Sequence, residues 1–351
     1  MQPPVEKAPE PGRKHGTMRA ALLTEPGRVA VREVPVPAAG GLALVRVTQA
    51  SLCATDLAIA DGRAPVRMPR ILGHEMTGRV EIPGPSGRVA RGTRVLVNPA
   101  LFCGRCDLCF RDLPQLCRNG GLMGRDADGG FAEFVAVDET RLHPVPVSVP
   151  EAEAALLQVL STCVHALSLV PISLADHVAV IGLGVTGLLN VQLLRARGIT
   201  TIVGVTRSRR HQDLALRLGA TRVAGPDEAD RVVREVTGQR GADVVIECAG
   251  TAATLAQAMR LAGASGSVLA FGITGPTADA MPTYDWYYKE LKIFGSRAAR
   301  PRDCDLAIGL CAGRRLDLVP LVTARFPLAR IGDALQAARD PAHLKIVIDV
   351  A

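Results

Sequence analysis

The sequence has few aromatic residues, with one Trp, three Tyr and seven Phe in 351 positions. A hydrophobic core must therefore be built mainly from Ala, Val, Leu and Ile. Basic residues exceed acidic ones by 41 to 34, giving a net charge of +7, but no basic block with interleaved aromatics is present. This scatter argues against a nucleic-acid-binding surface. The hydrophobic content of 48% and the charged content of 21% are typical of a globular protein.

An apolar run long enough to span a membrane is also missing from the sequence. Residues 1–17 are rich in Pro, Glu and Lys and have no apolar segment, so we expect a disordered tail rather than a signal peptide. The folded part is then expected to begin at Met18. Outside one cluster the cysteines are scattered singly, which does not fit a disulfide framework. We therefore expect a cytoplasmic protein whose thiols are free or bound to metal.

The clustered cysteines are the strongest chemical signal in the chain. Cys103, Cys106, Cys109 and Cys117 have the spacing C-x2-C-x2-C-x7-C. Zinc accepts four thiolates tetrahedrally, and cysteines joined by two-residue spacers are the usual way to supply them. The spacing predicts a structural zinc site, which has no open position for a substrate.

Two domains of different character follow from the length and the patterning. From Met18 to about Pro150, short β-prone runs are punctuated by Gly and Pro, as in an antiparallel barrel-like domain. Residues 151–169 read as helical, and from His177 strands and helices alternate. That alternation predicts βαβ units and a parallel sheet, so the fold class is α/β with a β-rich companion domain.

A dinucleotide site is predicted at the start of the alternating region. Gly182, Gly184 and Gly187 have G-x-G-x-x-G spacing after the strand-like run HVAVI and before a helical run. With Val185 beside them, they predict a turn whose backbone approaches a pyrophosphate at a helix N-terminus. The next strand ends at Thr206, where a carboxylate would favour NAD. Arginines follow instead, so Arg207 and Arg210, with Arg209 as an alternative, predict NADP rather than NAD.

Two further fragments can carry metal chemistry. One is Cys53-Ala54-Thr55-Asp56, and the other is Gly73-His74-Glu75 followed by Gly78. A single Cys or His beside an apolar run is more often part of a core than a ligand. Beside a four-cysteine lobe and a nucleotide-binding pattern, the two fragments together favour a second zinc site.

With these motifs in this order, the chain resembles the zinc-dependent medium-chain alcohol dehydrogenases, and more narrowly their polyol and sugar dehydrogenase branch. The resemblance spans Met18 to Ala351 and includes the late segment YYKELKIFGS. It implies a GroES-like catalytic domain at 18–155 and 301–351, a Rossmann domain at 156–300, and an active site between them. It also implies a homodimer or homotetramer.

The resemblance implies that Cys53 and His74 hold the catalytic zinc, that Asp56 and Glu75 orient them, and that Thr55 hydrogen-bonds the substrate alcohol. The third ligand position falls on Gln158, where the branch usually has Glu and simple alcohol dehydrogenases have Cys. Gln158 is a weaker donor, so Glu75 remains an alternative ligand and Cys163 a further one. Loss of the catalytic metal is also open. A relay histidine of several relatives is replaced by Ala58.

The implied cofactor contacts are completed by residues that line the nicotinamide in the family, which here are Thr162, Gly272, Ile273 and Ser296. The expected activity is reversible hydride transfer between NADP or NAD and a secondary alcohol of a sugar, polyol or cyclitol. Two alternatives stay open. One is a simple secondary-alcohol dehydrogenase, and the other is an NADP-binding structural or regulatory protein that has lost the catalytic zinc.

Overall fold

The computed structural model describes residues 16–273, 275 and 281–350. The predicted tail at 1–17 therefore lies outside the described residues except for Gly16 and Thr17, and Thr17 already belongs to the first strand. Within the described part of the chain, no helix combines the length and the apolar character needed to cross a bilayer.

The strands, numbered in chain order, are β1 Thr17–Glu25, β2 Arg28–Pro35, β3 Ala43–Ser51, β4 Arg70–Ile71, β5 Glu75–Ile82, β6 Arg94–Val97, β7 Ala100–Leu101, β8 Gly121–Leu122, β9 Phe134–Val137, β10 Leu142–Pro144, β11 His177–Ile181, β12 Thr201–Val205, β13 Arg222–Ala224, β14 Ala242–Glu247, β15 Ala262–Ala270, β16 Lys292–Gly295, β17 Val322–Pro327 and β18 Lys345–Asp349. The α-helices are α1 Ala54–Ala60, α2 Asp107–Phe110, α3 Glu151–Ala154, α4 Leu157–Leu169, α5 Val185–Ala196, α6 Arg209–Arg217, α7 Ala229–Val236, α8 Ala252–Leu261, α9 Thr283–Tyr288, α10 Pro301–Ala312 and α11 Ile331–Ala337.

The N-terminal and C-terminal parts of the chain share one β-rich body. Its largest sheet has seven strands, in the order β10-β6-β5-β3-β18-β17 with β9 also paired to β3. A three-stranded sheet, β2-β1-β4, lies beside it. Strand β18 pairs antiparallel with β3, so a late segment of the chain is part of the same sheet as the N-terminal strands β3, β5 and β6. β9 alternates between partly buried and buried residues (iBiB), whereas β3 is buried on both faces along most of its length (BBBeBiBBB).

The middle of the chain forms a six-stranded parallel sheet in the order β13-β12-β11-β14-β15-β16. This order is that of a Rossmann fold, and the order in which strands are added to the sheet reverses between β11 and β14. Ligands of such sheets bind at the carboxyl ends of the strands beside this reversal. The turn at Gly182 and the segment at Cys248 to Gly250 both follow strands at that point.

Helices α4 and α10 pack against each other between the two bodies. One core cluster joins α4, α5, α10 and one face of the parallel sheet, including Leu160, Leu188 and Ile246. A second cluster fills the β-rich body around Phe131 and Met76. The active-site side chains on α1 and β5 are thus carried by one core, and those on α4 by the other.

The predicted fold class is confirmed: a largely antiparallel β-rich domain accompanies a Rossmann parallel sheet. One detail differs. The helix predicted over 151–169 is divided into α3 and α4, with Ala155 and Leu156 between them. Both residues are good helix formers, so intrinsic propensity gives no sign of the break. The boundaries 18–155, 156–300 and 301–351 remain our proposed division into domains.

Candidate active site and cofactor cleft

The segment Cys53-Ala54-Thr55-Asp56 forms the start of α1. Cys53 is the N-cap, and the Asp56 side chain accepts a hydrogen bond from the Cys53 backbone N–H at 3.0 Å. A residue three positions into the helix that reaches back to the N-cap is the arrangement of a capping box. The cap fixes the direction in which the Cys53 thiol leaves the helix. It brings the hydroxyl of Thr55 to 3.8 Å from that sulfur.

Asp56 also orients His74. Its Oδ1 lies 3.2 Å from Nδ1 of His74 and accepts from the Gly73 backbone N–H at 3.3 Å. Because Nδ1 is occupied, Nε2 is left as the ligand atom. Burial lowers the pKa of His74, but the negative charges of Asp56 and Cys53 outweigh it and raise that pKa well above its usual value. The site therefore has a negative potential that suits a cation.

The metal-ligating atoms of Cys53, His74 and Glu75 all lie within 4.8 Å of one another. Gln158, on α4, is 8% exposed and lines the same cleft as these three residues. Cys163 does not join this group of donors. It is fully buried, its sulfur lies 3.8 Å from the Thr186 carbonyl oxygen, and burial raises its pKa to about 12. A thiol with so high a pKa is a poor ligand, since metals bind the thiolate.

Glu75 is paired with a lysine that the sequence reasoning missed. Nζ of Lys345 lies 2.7 Å from Oε2 of Glu75 and 3.1 Å from the Leu52 carbonyl oxygen. Ser51 donates to the same carboxylate oxygen. Burial lowers the pKa of Lys345, but the negative charges of Glu75 and Cys53 outweigh this effect and raise that pKa above its usual value. Lys345 directly precedes the apolar residues of β18, and a charged residue at the start of such a strand is the sequence signal that could have revealed the pair.

The four cysteines of the predicted structural site are brought together. The Sγ–Sγ distances are 3.5 Å for Cys106–Cys109, 3.8 Å for Cys106–Cys117 and 3.5 Å for Cys103–Cys117. Tetrahedral zinc with Zn–S bonds of about 2.3 Å requires sulfurs about 3.8 Å apart, whereas a disulfide needs about 2.05 Å. Backbone N–H donors from Arg118 and Cys109 lower the pKa of Cys106 to about 6. The arrangement fits a zinc ion and not a disulfide.

Each of the three glycines after β11 is required, or not required, by a different contact within the protein. Gly182 has φ +87°, and a Cβ there would lie 2.7 Å from the Ala249 backbone nitrogen. A Cβ at Gly187 would lie 2.0 Å from the Gly182 carbonyl oxygen. At Gly184, by contrast, a Cβ would meet no heavy atom within 4 Å among the described residues. The turn thus leaves open space at the N-terminus of α5, where Val185 begins the helix and a pyrophosphate fits.

The end of β12 presents hydroxyl and guanidinium groups. Thr206 follows the strand, and Ser208 caps α6 by accepting from the His211 backbone N–H. Arg207 and Arg209 are exposed, and their guanidinium groups have no partner among the described residues. Arg210 instead donates to the Ala342 carbonyl oxygen at 3.1 Å. Two of the three arginines are therefore available to a phosphate.

A cleft of about 490 Å³ joins the metal-ligating residues to the carboxyl ends of the parallel strands. Nine of the predicted site residues line it, namely Cys53, Thr55, His74, Glu75, Gln158, Thr162, Gly272, Ile273 and Ser296. The glycines 182, 184 and 187 and the residues Thr206, Arg207 and Arg210 do not line it, as expected for groups at the far end of an extended cofactor. The cleft residues that sequence reasoning missed include Asn98, Gln115, Arg125 and Arg297.

Two family models match the chain. Residues 39–147 match the alcohol dehydrogenase GroES-like domain, and residues 185–313 match the zinc-binding dehydrogenase domain. The first match contains Cys53, His74 and the four-cysteine lobe, and the second contains the end of the glycine turn, Arg207 and Arg297.

Individual proteins are similar over nearly the whole chain. A sorbitol dehydrogenase of Halalkalibacterium halodurans is 28% identical, covering 94% of this chain and 99% of that relative. A 5-exo-hydroxycamphor dehydrogenase of Pseudomonas putida is 32% identical, with 94% and 98% covered. A structure from Sinorhizobium meliloti 1021, described as a zinc-binding dehydrogenase bound to NADP, is 33% identical with a TM-score of 0.87, covering 95% of this chain and 99% of that one.

Proposed function

This chain belongs to the zinc-dependent medium-chain alcohol dehydrogenases, enzymes acting on CH–OH groups, and on that premise we propose that it transfers a hydride between NADP(H) and a secondary alcohol of a polyhydroxylated substrate. Two zinc ions per chain belong to this proposal. One is held by Cys103, Cys106, Cys109 and Cys117 and is structural. The other is held in the cleft and takes part in the reaction.

A single observation carries the proposal. The donor atoms of Cys53, His74 and Glu75 lie within 4.8 Å of one another. These residues line the same cleft as Gly272 and Ser296, which follow the carboxyl ends of parallel strands. A substrate carbon in this cleft would face both a metal site and the nicotinamide end of a dinucleotide. Hydride transfer needs that juxtaposition, because the cofactor carries the redox chemistry and the protein positions the reacting atoms.

We assign Cys53, His74 and Gln158 as the ligands of the catalytic zinc, with Glu75 as the alternative third ligand. When bound, zinc supplies Lewis-acid chemistry that makes deprotonation of an alcohol accessible near neutral pH. Thr55 receives or donates the hydrogen bond that positions the substrate hydroxyl, and Asp56 holds the imidazole of His74. The ion pair between Glu75 and Lys345 supports Gln158 over Glu75, since one oxygen of Glu75 is already engaged.

NADP is our proposed cofactor in preference to NAD. Thr206 stands where a carboxylate would bind the ribose 2′-hydroxyl of NAD, and Arg207 and Arg209 are exposed beside it. A 2′-phosphate would give these guanidinium groups a charged partner. The NADP bound to the similar structure from Sinorhizobium meliloti supports the same choice.

The substrate is proposed to be a sugar, polyol or cyclitol. Amide side chains in the cleft wall support this class, because Asn98 and Gln115 are buried there together with Gln158. Nδ2 of Asn98 and Oε1 of Gln115 have no hydrogen-bond partner within the described residues. The sorbitol dehydrogenase relative supports a polyol. The hydroxycamphor dehydrogenase relative favours the second candidate, a simple secondary alcohol. A homodimer or homotetramer remains part of the proposal.

The test is a substrate screen on protein loaded with zinc. Polyols, sugars, cyclitols and simple secondary alcohols are compared with NADP and with NAD by the absorbance of the reduced cofactor. We expect kcat/KM to be highest for a polyhydroxylated alcohol with NADP and to be lost in Cys53→Ala. Cys311→Ala serves as the control, because Cys311 is buried on α10 and does not line the cleft. A metal content that never exceeds one zinc per chain, with no turnover of any alcohol, would instead identify a binding protein without catalytic zinc.

A further inference from the structure

The cleft contains one cationic side chain whose charge is not compensated. Arg297 follows β16 and lines the cleft together with Ser296, Ala298 and Ala299. It is exposed, and its guanidinium group has no hydrogen bond or ion pair with any described residue. The adjoining Ala298 has φ +53°, in the left-handed region, so the chain turns sharply immediately after Arg297.

The other charged side chains of the cleft are neutralised locally. Arg125 is paired with Asp126, at 2.8 Å between Nη2 and Oδ2. Among the described residues that line the cleft, Glu75 is the one acidic side chain, and its partner is Lys345. A bound Zn²⁺ would more than offset the thiolate of Cys53 and would leave one positive charge at the buried end of the cleft. Arg297 adds a second, uncompensated positive charge at the cleft opening.

The cofactor does not account for this charge. The phosphates of a dinucleotide are expected at the turn formed by Gly182, Gly184 and Gly187 and beside Arg207, and none of these residues lines the cleft. Arg297 instead shares the cleft with the metal-ligating residues. A guanidinium group presents a planar fork of donors that matches the oxygens of a carboxylate or phosphate.

We propose that Arg297 binds an anionic group of the substrate, so that the polyhydroxylated substrate is a sugar acid or a phosphorylated sugar or polyol rather than a neutral polyol. This inference rests on the proposed function and narrows its substrate class. Carboxylate and phosphate share the chemistry that Arg297 recognises. The anionic group lies at the cleft opening, because Arg297 is exposed, while the alcohol being oxidised lies at the buried metal site.

The kinetic test compares one carbon skeleton with three groups at C6: D-sorbitol with a hydroxyl, L-gulonate with a carboxylate and D-sorbitol 6-phosphate with a phosphate, each with NADP and zinc-loaded enzyme. We expect one of the two anions to have the highest kcat/KM. Arg297→Gln should reduce kcat/KM for that anion by about ten- to a hundredfold, mainly through KM, because it removes a charge-assisted hydrogen bond. It should change the value for sorbitol less than about twofold, since a neutral end group makes no charge-assisted bond. Which of the two anions is preferred then shows whether the anionic group of the substrate is a carboxylate or a phosphate.

A binding titration gives a readout that does not depend on turnover. Calorimetry with L-gulonate and with sorbitol 6-phosphate is done on the zinc-loaded protein with NADPH, at low and high salt. We expect Arg297→Gln to weaken binding of the preferred anion at least about tenfold. High salt should weaken wild-type binding as well, because ions screen an exposed charge pair. Arg217→Gln is the matched control, since Arg217 is exposed on α6 and outside the cleft.

The outcomes separate this inference from the proposed function. If sorbitol were turned over in preference to both anions, and Arg297→Gln had the wild-type kcat/KM for all three compounds, Arg297 would be only a solvated surface residue. The dehydrogenase proposal would still stand. If no alcohol of any charge reduced NADP, the proposed function would be wrong, and the titration would decide on Arg297 by itself. Equal losses in Arg297→Gln and Arg217→Gln would also overturn the inference.

Discussion

At the scale of single residues, Gln158 and Glu75 compete for one position at the metal site. Gln158 offers a neutral amide oxygen from α4, and Glu75 offers a carboxylate that is already shared with Ser51 and Lys345. For Glu75 to ligate fully, a buried ion pair would have to be weakened. The two assignments therefore lead to different outcomes in variants.

Gln158→Glu is expected to hold the catalytic zinc more tightly than the wild type, because a carboxylate adds negative charge to the ligand set. Gln158→Ala is expected to lose that zinc more easily. Both effects are measured as zinc retained during competition with a chelator, with Gln192→Ala on α5 as a control outside the cleft. Wild-type retention in both Gln158 variants would transfer the ligand role to Glu75.

Lys345 has a stabilising role that can be separated from the metal. Lys345→Met leaves the buried carboxylate of Glu75 without its cationic partner, which typically costs about 3–5 kcal/mol in the free energy of unfolding. Urea denaturation of zinc-depleted protein measures this loss. The double variant Glu75→Gln with Lys345→Met should recover much of it, because no unpaired charge remains buried. Lys292→Met, at an exposed lysine, is the control. If the double variant were as unstable as the single one, the ion pair would not be the cause.

Arg207 is expected to distinguish the two nicotinamide cofactors. Arg207→Ala should raise the dissociation constant for NADPH by about ten- to a hundredfold, because it removes a charge-assisted contact with the 2′-phosphate. Binding of NADH should stay nearly unchanged. Fluorescence titration with both cofactors measures this difference, and Arg217→Ala is the control. An equal loss for NADPH and NADH would contradict the assignment of Arg207 to the 2′-phosphate.

At the scale of elements, the turn between β11 and α5 shows how one motif combines folding and binding. Gly182 and Gly187 are required by contacts within the protein, since a Cβ at either position would lie too close to backbone atoms. Gly184 meets no such contact among the described residues and has φ −76°, which any residue can adopt. Its glycine is therefore needed only for the ligand.

Substituting two glycines of this turn separates the two requirements. Gly184→Ala is expected to keep the wild-type Tm and to weaken NADPH binding, since its methyl group enters the space of the pyrophosphate. Gly187→Ala is expected to lower Tm as well, because its Cβ would lie 2.0 Å from the Gly182 carbonyl oxygen. Thermal unfolding without cofactor and titration with NADPH measure the two effects. A lowered Tm in Gly184→Ala would mean that the turn itself, and not the cofactor, requires this glycine.

The segment from Cys103 to Cys117, which contains α2, differs from the glycine turn because it has no hydrophobic core of its own. The residues of α2 are not buried, and the four sulfurs are its common point of contact. Zinc bound there would replace the core that so short a segment cannot form. This segment and the residues that follow it contribute Gln115, Leu122 and Arg125 to the cleft wall. The proposed structural site would therefore shape one wall of the cleft without taking part in the reaction.

At the scale of the whole molecule, the cleft is formed by two cores that each supply part of it. The β-rich body carries Cys53, His74 and Glu75, while α4 and the parallel sheet supply Gln158, Gly272 and Ser296. Contacts of α4 with β5 and β6, and of α10 with β10, join the two parts. The proposed metal and cofactor sites thus meet only in the complete fold.

Carefully prepared protein is expected to contain two zinc ions per chain, which atomic emission spectroscopy measures. Mild chelation should remove one ion and abolish turnover while the far-UV circular dichroism stays unchanged. The reason is that four thiolates hold zinc more tightly than Cys53, His74 and a neutral amide. If turnover survived the loss of the first ion, the weaker site would not be the catalytic one.

Much of the site could be predicted because its motifs are local. The four cysteines span 15 positions from Cys103 to Cys117, and a short segment can close around a metal with little loss of chain entropy. The glycine turn and the capped start of α1 are likewise fixed by neighbouring residues. Spacing and residue type alone therefore indicated the proposed structural metal site and the nucleotide turn, whereas the cap at Cys53 and the orientation of its thiol are seen only in the structure.

Only the tertiary structure decided which residues that are far apart in the sequence come into contact. Lys345 reaches Glu75 across 270 positions because β18 pairs with β3, which also pairs with β5. The positions of Arg297 and Gln115 in one cleft wall depend in the same way on two bodies packing together. Such contacts leave no spacing rule in the sequence, since the burial of two separate cores, and not local geometry, brings them together.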